Sequence, residues 1–343
     1  MEKLKFVGID DGHDSIKLVN EEGKSFIIPS RIAGGKNMLC SINGEEVNDN
    51  IYKVNGDTYS VVDFITQSAI NYIDTRTLDY PYSNHNISLI NHILYKSGIK
   101  GQVSVLTGLP VQRFYVNGIQ NEVLINKKVN ALLNSNVINL DESVELPKIK
   151  QHRVISEALA GYFDLLFDIS GKKNKEVEEI TADSKIAIID IGGRTTDIAT
   201  LDIGGTSIDL NKSGTRDIGG LYLKDNIKLA LMKEYNLNNV SNTILDKVIT
   251  GNSFRNCGKI VDVTHIVNSE KKNITNQINS FINQVLDVDF NEYGIIAFIG
   301  GGSLLFRTEL KNLYSIYDNV VLVDEPQFAN ARGMLKFNKY VLQ

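Results

Sequence analysis

A chain of 343 residues, 42% hydrophobic and 22% charged, is long enough for two domains with sizeable cores and ordinary for a globular protein in water. Its net charge of −5 excludes a general electrostatic pull toward nucleic acid, so any DNA role is expected to act through a partner. Cys40 and Cys257 lack metal-ligand spacing, no apolar run approaches bilayer-spanning length, and the first residues open a strand rather than a signal-peptide core. Two reduced thiols in a cytoplasmic protein without membrane contact are the expectation.

In chain order, Leu4 to Ile9 reads as a strand leading through Asp10-Asp11-Gly12-His13-Asp14-Ser15 into a second strand that includes Lys17, Leu18 and Val19. Ser25 to Pro29 adds a third. Alternating residues around Asn55-Gly56 predict a hairpin over Ile51 to Val61. Ile87, Ile90, Ile93 and Leu94 form one face of a helix ended by Gly98, and Val103 to Leu106 is a buried strand running to Gly108-Leu109-Pro110. The polar stretch from Asn117 to Leu146 mixes helix with an exposed hairpin. Val154 to Phe167 is predicted helical, with Ile155, Leu159, Tyr162 and Phe163 on one face, and the charged tract Ser170 to Ser184 reads as a connection.

The opening theme then returns. Lys185 to Ile189 is a buried strand; Asp190-Ile191-Gly192-Gly193-Arg194-Thr195-Thr196-Asp197 follows, and Ile198 to Leu201 continues extended. Asp217-Ile218-Gly219-Gly220 precedes a helix through Leu229 and Met232. A stripe of Ile274, Ile278, Phe281, Ile282 and Val285 marks another helix, read as core packing. A strand from Ile295 to Ile299 runs into Gly300-Gly301-Gly302, and Phe328 to Val341 is a closing helix able to return to the first domain.

The two Asp-x-Gly loops align without gaps: Asp10 with Asp190, Gly12 with Gly192, Ser15 with Thr195. Each leads from strand to strand, unlike a P-loop or dinucleotide fingerprint, which opens a helix. Such hairpins aim backbone N–H groups into a concavity suited to an anion. A pair of them implies related domains facing across a cleft, with a nucleoside triphosphate clamped between. Asp11, Gly12, His13, Asp14, Ser15 and Lys17 from the first loop, and Gly192, Gly193, Arg194 and Thr195 from the second, are the candidate phosphate contacts. Gly219 and Gly220 join them. Gly300, Gly301 and Gly302 would let an adenosine lie against the backbone. Asp10 and Asp190, at strand ends, suit a hydrated Mg²⁺, and Lys17 can neutralise a β- or γ-phosphate. Glu157 has two readings that the residues leave open: it orients or deprotonates the attacking water, or it is a helix-start glutamate favoured by the dipole, with Ser156 as cap. Gly258-Lys259 lacks the rest of a P-loop. His152 and His265 read as packed or surface histidines rather than ligands.

Taken in order, Ile9-Asp10-Asp11-Gly12, Thr107-Gly108-Leu109-Pro110, Ser156-Glu157-Ala158-Leu159-Ala160-Gly161-Tyr162, the second loop, Ile299-Gly300-Gly301-Gly302 and Phe328-Ala329-Asn330-Ala331-Arg332-Gly333 resemble the actin superfamily, and within it the plasmid-segregating actin-like ATPases of the ParM/StbA type. The resemblance implies an α/β, actin-like (ribonuclease H-like, duplicated) two-domain fold with a nucleotide cleft between the domains. The first domain would hold 1–168 plus 328–343, with an inserted subdomain near 30–85; the second would hold 185–327, with 169–184 connecting. It further implies an ATP-dependent (or GTP-dependent) filament, destabilised by hydrolysis, that moves plasmid DNA through a ParR-like DNA-binding adaptor on a centromere site. By this resemblance Asp10 and Asp190 hold Mg²⁺ through water, and Glu157 positions the attacking water. One departure stands out: many relatives have Ser or Thr where this chain has His13, so its imidazole, its backbone N–H alone, or a compensating Ser15 would serve. The competing readings are another cytoskeletal filament and an actin-fold small-molecule kinase.

Overall fold

The computed structural model describes residues 3–36, 39–40, 46–47, 50–62, 72–287 and 290–342. Apolar, largely β-branched runs build the first hairpin, in which β1 (Lys5–Asp11) pairs antiparallel with β2 (Ser15–Asn20), setting Ile9 opposite Leu18 and Asp10 opposite Lys17. β3 (Ser25–Pro29) extends the meander. A smaller sheet follows from β4 (Ile32–Gly34), β5 (Ile51–Val54) and β6 (Asp57–Val61). Its β5–β6 turn places Asn55 and Gly56 at φ of 51° and 100°, the left-handed pair that Asn-Gly supplies at least cost. α1 (Asn84–Lys96) starts where Ser83 accepts from the Asn86 N–H, and the chain leaves it through Gly98 at φ 71°.

β7 (Gln102–Leu109) runs parallel to β1. α2 (Glu122–Leu133) and β8 (Val137–Asn139), which joins the smaller sheet beside β5, lead to β9 (Lys148–Ser156), parallel to β7. The first sheet therefore reads β9-β7-β1-β2-β3. After α3 (Glu157–Leu166) and α4 (Lys175–Asp183), the second half repeats the scheme. β10 (Lys185–Ile191), β11 (Thr196–Leu201) and β12 (Gly214–Arg216) form an antiparallel meander; α5 (Gly220–Glu234), α6 (Asn242–Gly251) and α7 (Thr264–Leu286) intervene. β13 (Tyr293–Ile299) is then parallel to β10, and after α8 (Gly301–Leu305), β14 (Val320–Leu322) is parallel to β13. The order β12-β11-β10-β13-β14 duplicates the first sheet.

The chain closes with α9 (Ala329–Tyr340), which packs on both β1 and α3. Very close approach is needed there. A Cβ on Gly8 would collide with the Ala331 carbonyl, and one on Gly333 with the Ala160 carbonyl. The Asp164 side chain of α3, only 4% exposed, accepts from Arg332 at 2.8 Å and from Lys336 at 2.5 Å, joining the helices beside the crossing. The largest apolar core lies in the second domain, where β10 and β13 meet α5 and α7 through Ile189, Ile227, Ile278 and Phe298.

Several local expectations change. Val154 and Ile155 belong to β9 rather than to a helix, because they pair with Thr107 and Gly108 of β7; the helix begins only at Glu157. The tract taken as a bare connection contains α4, started by Asn174 accepting from the Glu176 N–H, and it buries Val177 and Thr181. The glycines that follow β13 also open a short helix, Gly301–Leu305. The inserted-subdomain expectation falls partly on 37–38, 41–45, 48–49 and 63–71, and the Cys40 thiol expectation on a side chain, that lie outside the described residues.

Candidate active site

The two hairpin loops face one another closely: a Cβ added to Gly193 would come within 2.7 Å of the Asp14 Cβ. The cleft they enclose is lined by Asp10, Asp11, Gly12, His13 and Lys17 from the first hairpin and by Asp190, Gly192, Gly193, Arg194 and Thr195 from the second, with Glu157, Gly300, Gly301, Arg113 and Lys128 also in the wall. Strand register fixes the charges. Lys17, directly across the ladder from Asp10, bonds its Oδ2 at 3.0 Å, both side chains being buried. Burial works against the Lys17 charge, but Asp10, aided by Asp14 and Asp190, outweighs it and holds the ammonium above its ordinary range.

The second hairpin has the opposite electrostatics. Asp197 stands across the ladder from Asp190, and it accepts from Thr195 Oγ1 at 2.7 Å, Thr215 Oγ1 at 2.5 Å and the Val111 N–H at 3.3 Å. Asp190 accepts from Asn330 Nδ2 at 2.6 Å through Oδ2, while its buried Oδ1 has no partner. Gly300, at φ 86°, carries no Cβ that would collide with that oxygen. Burial, then Asp10 and Asp197, push the Asp190 carboxyl up to about 7. Glu157 lies against Gly108, where a Cβ would strike its side chain. Burial, followed by Asp10, Asp197 and Asp190, raises its carboxyl well above the ordinary range. Ser156 makes no side-chain cap bond and its buried Oγ is unpartnered, which counts against the capping account of this segment.

Other expected contacts are placed differently. The Asp11 carboxylate is taken up by Lys128, at 2.9 and 2.8 Å, and by Asn86 at 3.1 Å; Lys128 also donates to the Gly108 carbonyl at 2.5 Å. His13 donates from Nδ1 to the Thr75 carbonyl at 2.6 Å, receives the Thr75 hydroxyl on its own carbonyl at 2.8 Å, and lies 4.8 Å from the Tyr80 ring. Burial holds it neutral, lowering its pKa to about 4. Its Nδ1 and its backbone carbonyl are therefore tied to Thr75, while the residue also lines the cleft.

Asp14 reaches across the cleft to Lys224 at 2.8 Å, and Asp246 receives both Lys224 at 3.1 Å and Arg31 at 2.7 Å. Arg194 donates to the Arg76 carbonyl at 2.6 Å and to Asp217 at 3.3 Å, while Arg76 pairs with Asp225 at 3.0 Å. Gly219 and Gly220 do not line the cleft. The Gly220 and Leu221 N–H groups donate to the Gly192 and Gly193 carbonyls at 3.1 and 2.7 Å, buttressing the second loop from behind. Gly302 packs on Ile191, and Ser15 pairs in the ladder opposite Pro29, so neither lines the cavity. Sequence reasoning assigned no role to Lys128, Asn330 or Arg76. Lys128 carries one readable signal: with Leu124 and Leu132 it occupies an apolar helical row.

Two copies of one sheet-and-hairpin unit, crossed by α3 and α9 and facing across a cleft, define an actin-like two-domain protein. The chain belongs to the ParM/StbA family: the model for plasmid segregation protein ParM, N-terminal, matches residues 4–167, and that for plasmid segregation protein ParM, C-terminal, matches residues 180–337. Among solved structures it is similar to a 15-stranded ParM filament from Clostridium botulinum, with a TM-score of 0.80 at 20% identity over 98% of this chain and 99% of that one. A non-polymerisable pCBH ParM mutant gives 0.76 at 20% identity over the same shares. An archaeal actin homologue, Ta0583, in complex with ADP gives 0.74 at 19% identity over 96% and 97%. At these identities the likeness establishes the fold. No individually curated protein matches the sequence.

Proposed function

We propose that this plasmid-segregation protein is an ATPase that binds ATP, or GTP, with Mg²⁺ in the cleft, assembles into a filament in that state, and loses filament stability on hydrolysis. The observation that carries the reading is the facing pair of phosphate-type loops, with Asp190 in the wall between them and its buried Oδ1 without a hydrogen-bond partner. The donors fit a hydrated Mg²⁺: Asp10 and Asp190 supply two carboxylates, and such an ion takes its other ligands from water and phosphate. Among the described residues no group of three or more His, Cys, Asp or Glu side chains is placed to hold a metal. When bound, the ion would supply charge neutralisation beside the phosphates.

Lys17 and the loop N–H groups bind and orient the phosphates. Glu157 handles the water. Burial and then Asp10, Asp197 and Asp190 hold its carboxyl well above the ordinary range; neutralising Asp10 and Asp190 would remove two of those repulsions and favour the ionised form that can accept a proton. We assign 1–168 with 328–343 to the first domain and 185–327 to the second, joined through 169–184. The partners would be further copies of the chain and a ParR-like adaptor that contacts centromere DNA. The site of action in this reading is the cytoplasm. Light scattering and pelleting with ATP, ADP and no nucleotide, run alongside phosphate release, test the reading. ATP-dependent assembly above a critical concentration is expected. Turnover stimulated by a sugar, with no assembly, would replace it with a kinase.

A further inference from the structure

Asp190 is fastened by a residue from the other domain. Asn330 occupies the first turn of α9, the closing helix packed on β1, and it donates to Asp190 Oδ2 at 2.6 Å across a separation of 140 residues. Both residues are buried. A donor fixed on one oxygen of a carboxylate orients the other, and here that other oxygen, Oδ1, is buried, free of hydrogen bonds and kept clear by the missing side chain at Gly300. The Asn330 amide meets the carboxyl through its N–H₂ group, and its own buried Oδ1 has no hydrogen-bond partner. Leaving a buried amide oxygen unpaired costs free energy, and the arrangement is the reverse of what packing alone would select.

We propose that Asn330 is a positioning residue for the divalent cation: it aims Asp190 Oδ1 into the cleft, and because it rides on the helix of the first domain, the cation site of the second domain is aligned only while the two domains hold this relation. The inference rests on the nucleotide reading above and adds to it a residue that touches neither phosphate nor metal. The α9 backbone is itself set by the collisions that any side chain at Gly8 or Gly333 would cause, so a rotation between domains moves Asn330 relative to Asp190 and loosens the metal carboxylate.

The experiment is a MgCl₂ titration of fluorescent ADP binding, with parallel measurements in EDTA, on wild type, Asn330→Ala and Asn330→Ser. Loss of an outer hydrogen bond to a metal ligand typically weakens metal binding 10–100-fold. The Mg²⁺ concentration for half-maximal enhancement should rise by roughly that factor in Asn330→Ala, with ADP affinity in EDTA unchanged within about twofold. Should Asn330→Ala fail to fold, Asn330→Ser is held to the same expectation. A general structural role would lower affinity equally in Mg²⁺ and EDTA, and that outcome overturns the proposal, as does an unchanged Mg²⁺ midpoint. If wild-type protein binds ADP with no response to Mg²⁺, the metal-nucleotide reading itself fails and this inference goes with it; if wild type responds and the variants match it, only the role of Asn330 is lost.

Discussion

Lys17 and Asp197 occupy the same step of two duplicated hairpins: Lys17 is paired across its ladder with Asp10, and Asp197 across its ladder with Asp190. One repeat thus carries a buried ion pair on its ladder and the other a pair of buried carboxylates. The duplicated backbone supplies two matching loops, while the residue across the ladder from the strand-end aspartate is a cation in one and an anion in the other.

From this follows a prediction about Lys17. Replacing it by Met strands the buried Asp10 carboxylate, and breaking a buried pair in this way costs about 3–5 kcal/mol. Adding Asp10→Asn should recover much of the loss, because the double variant leaves no unpaired charge. Urea denaturation of the two single variants and the double one measures the coupling. Strictly additive losses would show that the 3.0 Å contact does not govern stability here.

A second prediction concerns Glu157. Glu157→Ala should still bind ATP and assemble, yet release phosphate roughly 10²–10⁴-fold more slowly, the usual worth of a positioned base. Filaments formed by the variant should persist correspondingly longer in light scattering. Phosphate release at the wild-type rate would remove Glu157 from the chemistry.

What could be read from the residues and what could not divides along sequence separation. Both hairpins were visible because β-branched runs, glycines and outgoing strands are contiguous in the chain. Ile155 was drawn into a helix because it stands four residues before Leu159, whereas its true partner, Gly108, lies on a distant parallel strand. Gly219 and Gly220 looked like a nucleotide loop, since a glycine pair ahead of a helix has the same appearance whether it meets a ligand or backs another loop. Lys128 reaches Asp11 over 117 residues and Asn330 reaches Asp190 over 140; no local pattern encodes such pairings, although a lysine in an apolar helical row hints that it has a buried anion to meet.

The mouth of the cleft yields a third prediction. Asp246 receives Arg31 from the first domain and Lys224 from its own, and Lys224 also holds Asp14 of the first. Asp246→Asn should loosen this bridge and speed ADP release by about three- to tenfold at low salt, consistent with partly exposed pairs worth about 1 kcal/mol each. The difference should shrink above about 0.5 M salt, where screening has already weakened the wild-type pairs. Stopped-flow displacement of labelled ADP reports it, and identical release rates at low salt would mean that the pairs do not gate exchange.

His13 provides a test by pH. Its pKa is about 4 in the folded protein and near 6.5 in an unfolded chain, so between those values the unfolded state binds more protons. Stability from this residue is then complete above about pH 6.5 and is lost as the pH falls toward 4, with a slope of at most about 1.4 kcal/mol per pH unit. His13→Gln keeps an N–H group able to reach the Thr75 carbonyl but cannot titrate. Denaturant unfolding of both proteins from pH 7.5 to 4.5 should therefore show curves that run parallel above pH 7 and diverge below it, wild type losing stability faster because only its imidazole must be charged on unfolding. Curves that stay parallel across the whole window would show that His13 is not held neutral by burial, which outweighs the opposing hydrogen bond to the Thr75 carbonyl.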